Sequence, residues 1–398
     1  MKIGLLQEGK VPPDKRVPFS PGQCAHVMNT YPNISICIQS SSHRCFSDKE
    51  YIEKGIAVQE DLSDCDIIMG IKEVPLDMLI ADKVFLFFSH TIKKQPYNKK
   101  LLQKIIQTNI QLIDYETLID DKGQRIIGFG RYAGILGCYN TFLAYGKKTK
   151  KYDLNFAHKL SSKKDLEKEI LKTILPNNFK IILTGGGRVA GGAVEMLELL
   201  GVKKISKSNF LEKNFNYPTY IQLSPLDYNE RIDAAEACKH DFYSFPKQYK
   251  SSLFKYAACA DMLITGHYYS PNSPTILSRQ DFKNPLCKIS VVGDISCDID
   301  GPIGCTIRPS NIASPIYGYN PITETEDDYQ KEGIVVVMAV DNLPCSLPKD
   351  ASTDFGQVFI EKVLPDLMLN GPLVSRGTIA IDGKLTKRFE YLLDYINS

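Results

Sequence analysis

The chain lacks the features that would place it in several functional classes. Nowhere in its 398 residues is there a run of about 18 consecutive apolar positions, the length a helix needs to cross hydrocarbon. The opening, MKIGLLQEGKVPPDKR, has no apolar core of a secretion signal, so a soluble, cytoplasmic protein is expected. Excess charge is missing too: 48 Lys+Arg stand against 46 Asp+Glu, a net charge of +2. That removes the basic footprint expected of a protein binding nucleic acid or an anionic membrane. Cysteine is present eleven times but never as C-x-x-C, and the six histidines are dispersed. Structural zinc needs closely spaced ligand pairs, so no metal site is expected. An odd, scattered cysteine set reads as reduced thiols filling the core. With 43% apolar and 24% charged residues the chain is globular rather than disordered or coiled-coil. Its length suggests two or three domains.

What is present is an alternation of strand-like and helix-like segments. Met1–Leu6, Ile34–Ile38, Ile67–Ile71, Val84–Phe88 and Ile110–Ile113 are compact apolar runs, separated by helical stretches from about Pro21 and over Lys99–Gln107. A second series runs through Lys180–Thr184, Lys204–Ile205, Met262–Thr265, Ile289–Val292 and Ile334–Val340. Between its members Lys203–Ser252 is the least regular stretch. Helices follow from Ser352 and around Thr386–Ile396, and a small, apolar helix covers Tyr132–Tyr145. This order predicts an α/β fold with largely parallel sheets and function at the carboxyl ends of the strands.

The motif Thr184-Gly-Gly-Gly-Arg-Val-Ala-Gly-Gly-Ala193 follows the strand KIILT and opens the helix AVEMLELLG. Read as G-x-G-x-x-A, it puts Gly185 at the tight turn, Gly187 where backbone approaches a pyrophosphate, and Ala190 where helix and strand pack closely. Unpaired N–H groups at the helix start suit phosphate. A ligand-free structural turn is the minority reading. At Val202–Ser208, where an NAD-binding carboxylate is expected, there is none; Lys204 or Lys207 could meet a 2′-phosphate, or both are surface lysines. The cofactor is NAD or NADP, leaning to NADP.

Lys72 follows IIMGI and His90 follows VFLFFS, so both emerge on the carboxyl rim of a parallel sheet. Burial and neighbours can tune a lysine and a histidine for proton transfer at an amine or carbonyl. Singly, each also reads as a snorkelling lysine and a capped histidine. Arg16 and Arg125 could clamp carboxylates bidentately, although either alone is more often a surface ion-pair partner.

At these residues the sequence resembles the lysine-forming saccharopine dehydrogenases and the lysine–ketoglutarate reductase half of aminoadipic semialdehyde synthase, in the alanine dehydrogenase and transhydrogenase superfamily. The resemblance is carried by Gln59-Glu-Asp-Leu62, Gly70-Ile-Lys-Glu73, Phe87-Phe-Ser-His-Thr-Ile-Lys93, Leu112-Ile-Asp-Tyr-Glu116, Gly128-Phe-Gly130 and Tyr132-Ala-Gly134. It continues at Asp294-Ile-Ser-Cys-Asp298, Asp341-Asn-Leu-Pro344 and Leu347-Pro348, in order over nearly the whole chain. It implies two Rossmann-like domains joined by two long helices. Residues 1–131 and 346–398 would form the substrate domain and 132–345 the NAD(P)-binding domain. It also implies roles: Lys72 as general base, His90 as acid–base, and Glu73 and Glu116 as acidic neighbours tuning them. Arg16, Gln95, Arg125 and Phe129 would bind saccharopine. Gly185, Gly187, Arg188, Val189, Gly266, Asp294, Ile295, Ser296 and Cys297 would bind the cofactor.

The expected reaction is saccharopine + NAD(P)⁺ + water ⇌ lysine + 2-oxoglutarate + NAD(P)H, with these small molecules as partners and neither nucleic acid nor membrane. Two stretches depart from the pattern. Where reductases continue Gly-Gly-Ser-Ile-Glu-Phe after Asp298, this chain has Asp300-Gly-Pro-Ile-Gly-Cys305, and Lys147–Asn177 is also unlike relatives. The first departure bears on the amine substrate rather than on hydride chemistry. The rival readings are an alanine dehydrogenase-like enzyme using ammonia and a non-catalytic dinucleotide-binding regulator; the presence of both Lys72 and His90 speaks against the second.

Overall fold

The computed structural model describes residues 1–10, 14–270 and 272–397. It divides into one unit of Met1–Phe129 with Pro348–Ser398 and a second of Gly130–Leu347.

In the first unit, six parallel strands follow the order Gln111–Asp114, Val84–Phe87, Ile67–Met69, Lys2–Leu5, Ser35–Gln39, Ala57–Gln59. Thr378–Ile381 and Lys384–Leu385 add an antiparallel hairpin beside Gln111–Asp114. Strands such as Ile67–Met69 are buried throughout, as expected of a sheet covered by helices on both faces. The chain builds outward from Lys2–Leu5 in one direction, then returns to Ile67–Met69 on its other side. Ligands bind at such a reversal point, beyond the strand ends. Gln7–Lys10 and Gly70–Glu73 therefore lie at the reversal, with His90 and Glu116 following the next two strands.

The second unit has the order Thr325–Asp327, Ile316–Asn320, Val335–Met338, Val291–Asp294, Met262–Thr265, Lys180–Thr184, Thr219–Leu223, Lys203–Lys204, the last six parallel. One expectation is corrected here. The strand beside Lys180–Thr184 is Thr219–Leu223, from the stretch read as irregular, and Lys203–Lys204 is a two-residue edge strand beyond it. Val202–Ser208 is thus not the neighbour of the glycine turn. Only two residues pair at the edge, too few to leave an apolar run, whereas the interior strand TYIQL is β-rich and buried at four of five positions.

One long helix begins the second unit and another begins the C-terminal segment of the first. Gly130–Thr149 packs on Arg188–Leu199 with backbones touching, because glycines face the contact. A Cβ on Gly134 would lie 1.9 Å from the Val189 carbonyl oxygen, and one on Gly192 2.0 Å from that of Arg131. Gly134→Ala is therefore expected to cost about 3 kcal/mol or more, the upper range for overpacking where backbone cannot yield. A lower melting temperature checks it; unchanged melting would contradict the close contact. The other long helix, Pro348–Val358, continues through a π-turn at Phe359–Val363 into Leu364–Met368. Pro365 lacks an N–H and crowds the carbonyl four residues back, and the wider turn just before it relieves both.

Candidate active site

The first unit gathers its polar groups on the rim of its sheet. Glu8, just after the first strand, accepts the N–H groups of Ile71 (2.6 Å) and Lys72 (2.9 Å), fixing the loop that carries Lys72 and Glu73. Desolvation pushes the Glu8 carboxyl up to about 8 against those two donors. A carboxyl whose folded pKa lies above its usual value of 4.5 binds more protons folded than unfolded. Its contribution to stability is full below pH 4.5 and is lost as pH rises toward 8. Glu8→Gln is thus expected to flatten the decline of stability over that window. Urea midpoints measured from pH 5 to 9 test this, and an unchanged decline would contradict it.

Glu73 is the hub. One carboxylate oxygen is 2.7 Å from His90 Nδ1, and the other accepts from Lys10 Nζ at 2.9 Å. Although burial opposes it, the hydrogen bonds from His90 and Lys10 hold the Glu73 carboxyl down to about 2, so it is an anion at every working pH. His90 occupies the left-handed region at φ 53°. Asp114, wholly buried, accepts the Ser89 N–H at 2.9 Å and the Ser89 hydroxyl, anchoring the residue before it. Phe88 stacks on the imidazole at 6.3 Å. The Lys72 ammonium has no hydrogen-bond or ion-pair partner among the described residues. Burial, aided by the Arg16 cation, lowers its ammonium below the usual lysine value.

The other expected substrate contacts sit among partners of their own. Arg16 is 4% exposed and forked onto Asp14 through Nε (2.9 Å) and a terminal nitrogen (2.6 Å). Its guanidinium lies 4.1 Å over the Phe129 ring, which stacks on Phe355 at 4.7 Å. Arg125, more exposed, donates to Glu116 at 2.9 Å, and Lys93 approaches the same oxygen at 3.4 Å. The second Glu116 oxygen is buried without a partner among the described residues. Gln95 accepts from the Tyr97 hydroxyl, and its carbonyl from that of Tyr395. The structure thus brings Lys72, Glu73 and His90 together, places Glu116 with Arg125, and pairs Arg16 with Asp14. Asp14 and Asp114 complete the rim with Glu8 and Lys10; the last two carried no recognisable signal in sequence, since Lys72 lies 64 residues from Glu8 and Glu73 63 from Lys10.

In the second unit the glycine turn is built for close approach. Gly185 has φ +94°, and a Cβ there would lie 2.3 Å from the Gly266 carbonyl oxygen. A Cβ on Gly266 would meet Ala190 Cα at 3.0 Å. Gly186 and Gly187 have open space above them. Gly187 caps the Arg188–Leu199 helix without a side-chain hydrogen bond, and the N–H groups of a helix start suit phosphate. These residues fit a dinucleotide pyrophosphate. Arg188 is exposed and Val189 half-buried at the helix start. Lys204 donates to Gln222 at 2.7 Å and Lys207 pairs with Asp227, so both ammonium groups have protein partners.

Asp294 ends its strand fully buried and accepts from the hydroxyls of Thr265 (2.7 Å), Ser296 (2.6 Å) and Thr306 (2.6 Å). Ile295 N–H donates to the Thr265 hydroxyl at 2.9 Å, and Cys297 Sγ lies 3.0 Å from the Ala339 carbonyl. Thr306 closes the stretch that departs from the reductase pattern. That stretch is packed in place, with Ile303 and Cys305 fully buried and Asp300 paired with Arg279. Among the described residues no group of acids, histidines and cysteines could hold a metal, and no helix is long and apolar enough to cross a membrane.

Residues 4–136 match the family model "Alanine dehydrogenase/PNT, N-terminal domain". The chain is 30% identical to alpha-aminoadipic semialdehyde synthase of Arabidopsis thaliana over 98% of its own length and 41% of that protein's. It is 25% identical to saccharopine dehydrogenase [NAD(+), L-lysine-forming] of Emericella nidulans, over 92% of its own length and 91% of the relative's. The chain is thus similar to saccharopine dehydrogenases and to alpha-aminoadipic semialdehyde synthases. It spans less than half the length of the semialdehyde synthases it matches. An L-alanine dehydrogenase structure covers the whole chain with a TM-score of 0.57 at 14% identity, a likeness of fold.

Proposed function

We propose that the chain is a nicotinamide-dependent oxidoreductase acting on a CH–NH group, catalysing saccharopine + NAD(P)⁺ + H₂O ⇌ lysine + 2-oxoglutarate + NAD(P)H + H⁺. In this reading the first unit binds the substrates and the second the dinucleotide. The observation that carries it is the Glu73-held His90 on the same rim as a Lys72 whose ammonium is weakened by burial.

In the condensing direction the substrate amine must be neutral to attack the ketone. Lys72, with its pKa lowered, takes the proton from the incoming ammonium. His90, its Nδ1 fixed by the Glu73 anion, presents Nε2 to the carbonyl oxygen. There it protonates the oxygen as the carbinolamine forms, and the departing hydroxyl as the imine forms. The bound dinucleotide supplies the hydride that reduces the imine carbon. Arg125 is the carboxylate partner on the exposed side of Glu116, and Arg16, forked onto Asp14, holds Phe129 and the rim in place.

Arg125→Lys keeps charge but loses the planar fork. It is expected to raise KM for 2-oxoglutarate about tenfold or more, with kcat and cofactor affinity little changed; an unchanged KM would assign Arg125 to its ion pair with Glu116 alone. The reading itself is tested by thermal-shift titration. Saccharopine should raise the melting temperature, as a ligand binding only the folded state must. No shift at saturating saccharopine, with or without dinucleotide, would overturn it.

A further inference from the structure

His267 is unused by the chemistry above. It follows Gly266 at the carboxyl end of Met262–Thr265, beside the strand that leads into the glycine turn. From Lys180–Thr184 the chain builds outward to Lys203–Lys204 and Thr219–Leu223, then returns to Met262–Thr265 on the other side. The ends of Lys180–Thr184 and Met262–Thr265 therefore flank the second unit's reversal point, where open α/β sheets bind ligands. His267 bridges it: Nδ1 lies 2.7 Å from the Thr184 hydroxyl oxygen. The ring is buried, with Tyr228 at 6.4 Å, and Nε2 has no hydrogen-bond partner among the described residues. Burial pushes the imidazole down to about 4, against the pull of Asp294, so the ring is neutral and carries a single N–H. A histidine serving only to tie two strands would be satisfied through Nδ1, and nothing would keep a second buried nitrogen unpaired, which is costly.

We propose that His267 is a cofactor-binding residue: Thr184 donates to Nδ1, and Nε2–H donates to an oxygen of the nicotinamide-side phosphate or ribose of a nicotinamide dinucleotide lying over Gly185–Gly187. This rests on reading the glycine turn as a dinucleotide site. The neutral ring orients the ligand without adding a charge beside the buried Asp294.

Calorimetric titration of the whole chain with NADH, ADP-ribose and 5′-AMP tests it, in wild type, His267→Asn and His267→Gln. The Asn amide can reach Thr184 but not the Nε2 position; the Gln amide nitrogen reaches that position. NADH and ADP-ribose should bind His267→Asn roughly tenfold more weakly, the loss expected for one hydrogen bond to a charged or polar ligand group. His267→Gln should recover most of that loss. Binding of 5′-AMP, which lacks the pyrophosphate and the second ribose, should be the same in all three. A folded His267→Asn that binds NADH as tightly as wild type overturns the proposal, as does an equal loss for 5′-AMP. If His267→Asn fails to fold, a His267→Gln that binds NADH no better than 5′-AMP overturns it. Wild type that binds no dinucleotide overturns the reading of the turn itself, whereas normal wild-type binding with an unaffected His267→Asn overturns the role of His267 alone.

Discussion

Lys72→Met is expected to lower kcat by roughly 10²–10⁴-fold, the usual contribution of a positioned general base, while NADH affinity stays at the wild-type value. Methionine keeps the length and apolar character of the stem, so the half-buried side chain still packs. What disappears is an amine that Glu8 positions through the loop backbone and that burial and the Arg16 cation have made a weaker acid-holder than an ordinary lysine. Because the substrate amine must lose a proton before it can attack, the defect should shrink as pH rises and the free amine becomes more abundant. A variant with near wild-type turnover from pH 6 to 9 would remove Lys72 from the proton path.

Glu73→Gln should come next in size, a fall in kcat of roughly 10- to 10²-fold with KM little altered, smaller than loss of an acid–base group itself. The carboxylate presents acceptors to both His90 and Lys10, whereas an amide presents one acceptor and one donor. One of the two contacts must then fail, and His90 loses the anion that fixes its Nδ1–H. Glu73→Asp, which keeps the charge, should recover part of the rate. Equal activity in Glu73→Gln and wild type would show that His90 needs no anionic partner.

The rim was readable because each strand of the first unit is an apolar run that ends abruptly in polar residues, as in IIMGI before Lys72 and VFLFFS before His90. Alternation of strands and helices then puts those ends on one side of a parallel sheet. The partners that tune them were not readable. Glu8 and Lys10 lie in the turn after the first strand and meet Lys72 and Glu73 only when two strands distant in sequence become neighbours at the reversal point. Arg16 and Arg125 both read as candidate carboxylate clamps, but only the structure shows Arg16 already forked onto Asp14, two residues away. In the second unit the glycine turn announced itself, yet the strand beside it did not. Thr219–Leu223 sits in a stretch of short elements, and the tempting KK segment proved to be the sheet edge. His267 had a faint signal, a polar residue after the buried run MLIT and a glycine, which acquires meaning only from its place opposite Thr184.

The measurement that bears most directly on the central claim follows loss of reduced nicotinamide, NADH and NADPH separately, with lysine plus 2-oxoglutarate, and identifies the product by mass. The account predicts oxidation of the dinucleotide only when both substrates are present, with one product joining the lysine ε-amine to the 2-oxoglutarate carbon skeleton. Oxidation with ammonia and a short 2-oxo acid, and none with lysine and 2-oxoglutarate, would contradict it.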